Sequence, residues 1–171
     1  PLGTAKNPIK MYFVPSVEAD RVVTGAEFIE NALHETTGLY FKTAVPTSYA
    51  AVIEGMGTNE ADIGWLPTFS YLLAHEKFDA EVGLTVLRRG QKMYRGQFFA
   101  RSDSPIKSLE DLQGKTIAYT DAASTSGYIF SSGLLAQKGI VPKRHFFAGG
   151  HPQAVLAVYQ GTADAGCSYW A

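Results

Sequence analysis

Apolar residues recur along this chain with two periods in turn. Lys10-Met11-Tyr12-Phe13-Val14 is a short run of strand formers ended by Pro15-Ser16. From Asp20 the apolar positions Val22, Val23, Ala26, Ile29, Ala32 and Leu33 return every three or four residues. That spacing predicts a helix, closed by a left-handed Gly38 with Leu39 behind it. A strand is predicted over 40–45. Thr47-Ser48 then offer N-cap hydroxyls to a helix through Tyr49, Val52, Ile53 and Met56, stopped at Gly57. Residues 61–66 read as a strand, and Pro67 stands well as the start of a helix over 68–75. Two strands follow in succession, over 81–87 and 94–100. A short helix over 109–113 precedes a strand over 115–119. Ser124-Thr125-Ser126 open a long helix containing Leu134 and Leu135, punctuated by Gly139, Ile140 and Pro142. A strand over 145–147, a helix over 151–160 and a strand over 163–168 complete the pattern.

Strand and helix alternate with short connections, which predicts α/β architecture with mainly parallel sheets and right-handed helical crossovers. The alternation breaks where two strands run in succession, and the polar stretch Arg101-Ser102-Asp103-Ser104-Pro105 follows. A boundary there divides the chain into lobe one, residues 1–100, and lobe two, residues 101–171.

Composition narrows the partners. The chain has 171 residues, 46% of them apolar, and 15 Lys plus Arg against 16 Asp plus Glu give a net charge of −1. No basic cluster is interleaved with aromatic residues, so nucleic acid and anionic membrane are excluded as expected partners. No apolar run approaches the roughly 20 residues a membrane span needs. The single cysteine, Cys167, allows no internal disulfide and reads as a small buried strand residue. His34, His75, His145 and His151 lack metal-ligand spacing, so neither a metal nor another cofactor is expected.

Ligands of open parallel sheets bind beyond the carboxyl ends of the strands, where helices begin. Four such junctions carry small hydroxyls or ring donors: Thr47-Ser48-Tyr49, Leu66-Pro67-Thr68, Ser124-Thr125-Ser126-Gly127 and Gly149-Gly150-His151. Each offers unpaired backbone N–H groups and the positive end of a helix dipole, so an oxyanion could be held without Lys or Arg. Three consecutive hydroxyls at Ser124, Thr125 and Ser126 exceed what capping requires, and Gly127 leaves room for an oxygen against the backbone. The alternative is a redundant cap on an ordinary turn. His151 could donate as imidazole or imidazolium. An enzyme would need Ser126 and His151 to form a nucleophile–base pair with a third group orienting the ring.

Ala-Ser-Thr-Ser-Gly-Tyr, with Ser108-Leu109-Glu110-Asp111-Leu112-Gln113-Gly114-Lys115 before it, resembles the phosphonate/phosphite/phosphate-binding family of ABC-transporter periplasmic substrate-binding proteins. Ser48-Tyr49-Ala50-Ala51-Val52-Ile53-Glu54, Ala61-Asp62-Ile63-Gly64-Trp65-Leu66-Pro67 and Gly161-Thr162-Ala163-Asp164-Ala165-Gly166 add to the likeness in the family's order. The resemblance implies a type II two-lobed periplasmic-binding-protein fold, with a ligand pocket between lobes and a membrane permease as partner. It implies Ser124, Thr125, Ser126 and the Gly127 amide as lobe-two donors, Tyr49 and Tyr94 as phenols from lobe one, and His151 as a further donor. The expected place is periplasmic or extracytoplasmic, with membrane association only through a lipid anchor outside this stretch. In the family the chain crosses back into lobe one, so that return is expected to be missing here. A pocket of donors alone leaves the proton of hydrogen phosphate unpaired, at about 1–3 kcal/mol, which favours phosphonate or phosphite over phosphate. Two other readings stay open: a ligand-sensing domain of a signalling system, and a serine hydrolase using Ser126.

Overall fold

In a computed structural model describing residues 1–170, the chain divides into two compact units, Pro1–Glu81 and Val82–Ala171. The first unit follows the predicted alternation: β1 (Ile9–Phe13), α1 (Ala19–Thr37), β2 (Phe41–Ala44), α2 (Tyr49–Gly57), β3 (Ile63–Trp65) and α3 (Thr68–Phe78). Its three strands are parallel in the order β2-β1-β3, so each pair is joined by a helical crossover. Met11 on the central strand is fully buried, with Val52 and Ile53 of α2 also in the core. Gly38 closes α1 in the left-handed conformation and donates its N–H to the His34 carbonyl, as the spacing predicts. At Gly57 a Cβ would collide with the Phe78 ring, so only glycine lets the ends of α2 and α3 approach.

The second unit holds β4 (Arg95–Ala100), a 3₁₀ turn at Glu110–Leu112, β5 (Thr116–Tyr119), α4 (Phe130–Gln137), β6 (Arg144–Phe147), α5 (His151–Tyr159) and β7 (Ala165–Trp170). The sheet order is β4-β7-β5-β6, in which β5 runs parallel to β6 and β7 while β4 is antiparallel to β7. Strand alternation sorts the core. Ile117, Tyr119 and Cys167 pack with Leu112, Leu135 and Ile140, whereas Ala118 turns the other way to Ala154 and Val158 of α5. Cys167 is the small buried strand residue the sequence suggests, and burial pushes its thiol up to about 12, which leaves it protonated and unreactive.

Three expectations are corrected. The boundary predicted after residue 100 falls between Glu81 and Val82, because all six residues of β4 pair with β7. The strand predicted over 81–87 does not form. Val82, Leu84, Val86 and Leu87 are exposed, and no described strand takes up the N–H and C=O groups of that segment. A tight turn follows it, in which Arg88 and Gln91 exchange two backbone hydrogen bonds of 2.9 Å around Arg89 and Gly90 at φ 49° and 74°. Finally, the long helix predicted from Ser124 begins as a wide π turn over Thr125–Ile129, and regular α-helix starts at Phe130. Among the described residues, no helix is long and apolar enough to cross a membrane.

Candidate functional site

Thr120, the residue after β5, ties together two of the junctions singled out in the sequence. Its N–H donates to the Gly127 carbonyl at 3.1 Å, and its own carbonyl accepts from Gly149 N–H at 2.8 Å, just ahead of α5. The hydroxyl-rich turn and the start of α5 therefore meet on the backbone of one residue, beyond the carboxyl ends of β5 and β6. Sheet geometry dictates this: β5 and β6 are parallel neighbours in register from Thr116↔Arg144 to Tyr119↔Phe147, so both chains leave the sheet together.

The turn is built from its own side chains. The Asp121 carboxylate accepts from Ala123 N–H at 2.8 Å, and Ser124 Oγ accepts from Gly127 N–H at 3.1 Å. The Ser131 hydroxyl donates to the Ser126 carbonyl at 2.9 Å. Ser124, Thr125 and Ser126 are only 2%, 2% and 3% exposed. Ser126 lies against Gly96 of β4, where an added Cβ would be in ordinary van der Waals contact with it. Ser126 Oγ makes no hydrogen bond within the described residues.

Gly127 departs from expectation in two ways. A Cβ at Gly127 would collide with the Thr120 side chain, so its place is explained by internal packing and not by approach of an oxygen. Its amide is already donated to Ser124 Oγ, so it is not an open donor.

His151 opens α5 after Gly150, with Pro152 in the first turn. It is 7% exposed. Nδ1 lies 3.1 Å from Thr120 Oγ1 and 2.9 Å from Ser168 Oγ, and the ring stands edge-on to Tyr169 at 4.8 Å. Burial, with the positive charge of Arg88 in second place, lowers its pKa from 6.5 to about 4, so the imidazole is neutral at pH 7. Arg88 is held between two rings, its guanidinium carbon 5.3 Å from the Tyr94 centroid and 5.5 Å from that of Tyr169.

The Ser124–Gly127 turn and His151 are thus both tied to Thr120, and Tyr94 is linked to His151 through Arg88 and Tyr169 in the same unit. Tyr94 was expected in lobe one. Tyr49 lies in the first unit, where it opens α2 directly after the cap of Ser48 Oγ on Ala51 N–H and is 1% exposed. Sequence reasoning missed Thr120, Ser168, Tyr169 and Arg88. Thr120 carried a weak signal as a polar residue ending a buried strand. Arg88 carried none, although its charge helps to lower the pKa of His151. The hydrolase pair is not assembled: Ser126 makes no hydrogen bond to His151, and Thr120 and Ser168 hydroxyls stand behind the ring where a carboxylate would be needed.

The profile of the ABC-transporter phosphonate periplasmic substrate-binding proteins matches residues 11–169. The chain belongs to that family. Within this phosphonate-binding family it is similar to the phosphate-import protein PhnD of Mycolicibacterium smegmatis, 26% identical over 94% of this chain and 54% of the relative. It is also similar to the phosphonates-binding periplasmic protein of Escherichia coli, 31% identical over 68% of this chain and 37% of the relative. The chain therefore spans about half, or less, of the length of these curated relatives. Its fold matches a binding protein component of an ABC phosphonate transporter from Pseudomonas aeruginosa with a TM-score of 0.87 at 24% identity, over 99% of this chain and 57% of that one. It matches PhnD1 of Prochlorococcus marinus in complex with methylphosphonate with a TM-score of 0.83 at 20% identity, over 93% and 62% of the two chains. The two-lobed periplasmic-binding-protein fold of the phosphonate-binding family, with its largely parallel sheets, is the fold of this chain.

Proposed function

We propose that this chain captures a small phosphorus oxyanion for an ABC importer, working outside the cytoplasm and passing its ligand to a membrane permease. Phosphonate or phosphite is preferred to phosphate. The observation that carries the reading is that the turn bearing Ser124, Thr125 and Ser126 and the first turn of α5 with His151 are both held by Thr120, the turn through the Gly127 carbonyl and the ring through the Thr120 hydroxyl. Ser126 Oγ makes no hydrogen bond within the described residues, so it is available to donate to an incoming oxygen. Helix dipoles at both junctions and the Arg88 charge favour an anion in the same place. Membership of the phosphonate-binding family and the methylphosphonate carried by the Prochlorococcus neighbour support the choice of ligand class.

Isothermal calorimetry with methylphosphonate, phosphite, 2-aminoethylphosphonate, phosphate and sulfate tests the proposal. At least one phosphorus oxyanion should bind in the micromolar range, about −8 kcal/mol, with sulfate weaker. Ser126→Ala should weaken that binding about tenfold, or ~1.4 kcal/mol. Absence of micromolar binding to every phosphorus compound refutes the reading.

A further inference from the structure

We propose that His151 meets the bound oxyanion as a hydrogen-bond acceptor through Nε2, held in that tautomer by Thr120 and Ser168, so that the site selects the singly protonated form of its ligand. The inference rests on the reading of the site given above and reverses the role the sequence suggested for His151, which was that of a donor.

The argument is a proton count. Thr120 Oγ1 lies 3.3 Å from the Cys167 carbonyl oxygen and 3.1 Å from His151 Nδ1. A hydroxyl has one proton and the Cys167 carbonyl can only accept, so when that proton goes to Cys167 the Thr120 oxygen is an acceptor towards Nδ1. The contact with Nδ1 is then a hydrogen bond only if Nδ1 carries the proton. The same Nδ1–H points at Ser168 Oγ, 2.9 Å away, which can accept it. All three contacts are satisfied with Nδ1 protonated. In the other tautomer the single Thr120 proton could serve only one of Nδ1 and the Cys167 carbonyl, and one contact would be lost in a pocket where both Thr120 and His151 are buried. Nε2 is left with its lone pair, and it makes no hydrogen bond within the described residues.

The surroundings keep the ring neutral. The loop before β4 contributes the Arg88 cation, flanked by the phenols of Tyr94 and Tyr169. The end of β5 contributes the Thr120 hydroxyl, and β7 contributes Ser168 and Tyr169, while the Cys167 thiol turns to the opposite face by strand alternation. No carboxylate adds to the field on the imidazole. A neutral ring with an open Nε2 repels a bare anionic oxygen and welcomes a P–OH. Methylphosphonate and phosphite monoanions each offer one such proton. Methanesulfonate has the shape and charge of the former and no proton to give.

Two measurements on the full chain test this. Calorimetry should show methanesulfonate binding at least tenfold more weakly than methylphosphonate, and methylphosphonate affinity falling as pH rises through that ligand's own second ionisation. ¹⁵N NMR of the unliganded protein at pH 7 should show His151 protonated at Nδ1. Thr120→Val should shift the ring towards the Nε2–H tautomer and narrow the methanesulfonate discrimination, with Thr120→Ser restoring both, while circular dichroism checks that each variant folds. Nε2 protonation in the wild type, or methanesulfonate bound as tightly as methylphosphonate, overturns the inference and leaves the proposed function standing. Failure of every oxyanion to bind overturns both.

Discussion

The two units finish a helix beyond the carboxyl ends of parallel strands, and they do so differently. At the mouth of α2 one hydroxyl is enough: Ser48, in extended conformation, caps Ala51 N–H, and the next residue, Tyr49, is packed away from solvent. In the second unit Ser124 provides the equivalent cap on Gly127, yet Thr120, Thr125, Ser126, Ser131, Ser168 and His151 are buried around it as well. Capping does not account for these groups, which bond to one another and to the backbone as a polar network. The first mouth carries a single cap and the second a network around an imidazole, which is why we propose the oxyanion there.

The largest effect that can break this contrast is expected in the first unit. Tyr49→Ala removes a fully buried aromatic ring from the start of α2 and should destabilise the protein by about 3–5 kcal/mol, measured by chemical denaturation. A loss under about 1 kcal/mol would mean that the Tyr49 ring is not a packing element, and the contrast between the two mouths would fail. The next effect belongs to His151. Its pKa is lowered in the folded state to about 4, so as pH falls below 6.5 the unfolded chain takes up a proton that the native chain refuses. Stability should therefore fall between about pH 6.5 and 4 and level off below, by on the order of 3 kcal/mol from this group alone. Unfolding curves at pH 7.5 and 4.5 should show a smaller acid loss in His151→Asn than in the wild type. Equal losses would place the imidazole in water.

Periodicity and punctuation made most of the fold legible. The spacing of Val22, Ala26, Ile29 and Leu33 gave α1, and the left-handed Gly38 gave its end. Propensity without a partner misled at 81–87, where Val82, Leu84 and Val86 alternate as a strand does, but a strand exists only when neighbouring backbone accepts its hydrogen bonds. The boundary went wrong for a related reason, since nothing local announces that β4 pairs with β7 some seventy residues later. At the site, Ser124, Thr125, Ser126 and His151 stood out because hydroxyls and a ring at helix starts have a chemical use. Thr120 and Ser168 did not, because single hydroxyls at strand ends are common and their convergence on one imidazole nitrogen is a product of sheet order. Arg88 was invisible because its place is set by a nearby ring, Tyr94, together with Tyr169 at the far end of the unit.

The smallest stability effects sharpen the contrast most. Ser48→Ala takes away a cap with one clear partner, the Ala51 N–H at 3.1 Å, and should cost about 1 kcal/mol. Ser126→Ala removes a hydroxyl with no partner among the described residues, so the folded state loses no internal hydrogen bond. Its stability should stay within about 0.5 kcal/mol of the wild type, or rise, while affinity for the oxyanion drops. Denaturation midpoints and calorimetric titrations on the two variants give four numbers, and the crossed pattern is the point. Ser48→Ala should alter folding alone and Ser126→Ala binding alone. If Ser126→Ala costs as much stability as Ser48→Ala, its hydroxyl is serving the fold, and the surplus of polar groups in the second unit would no longer argue for a ligand.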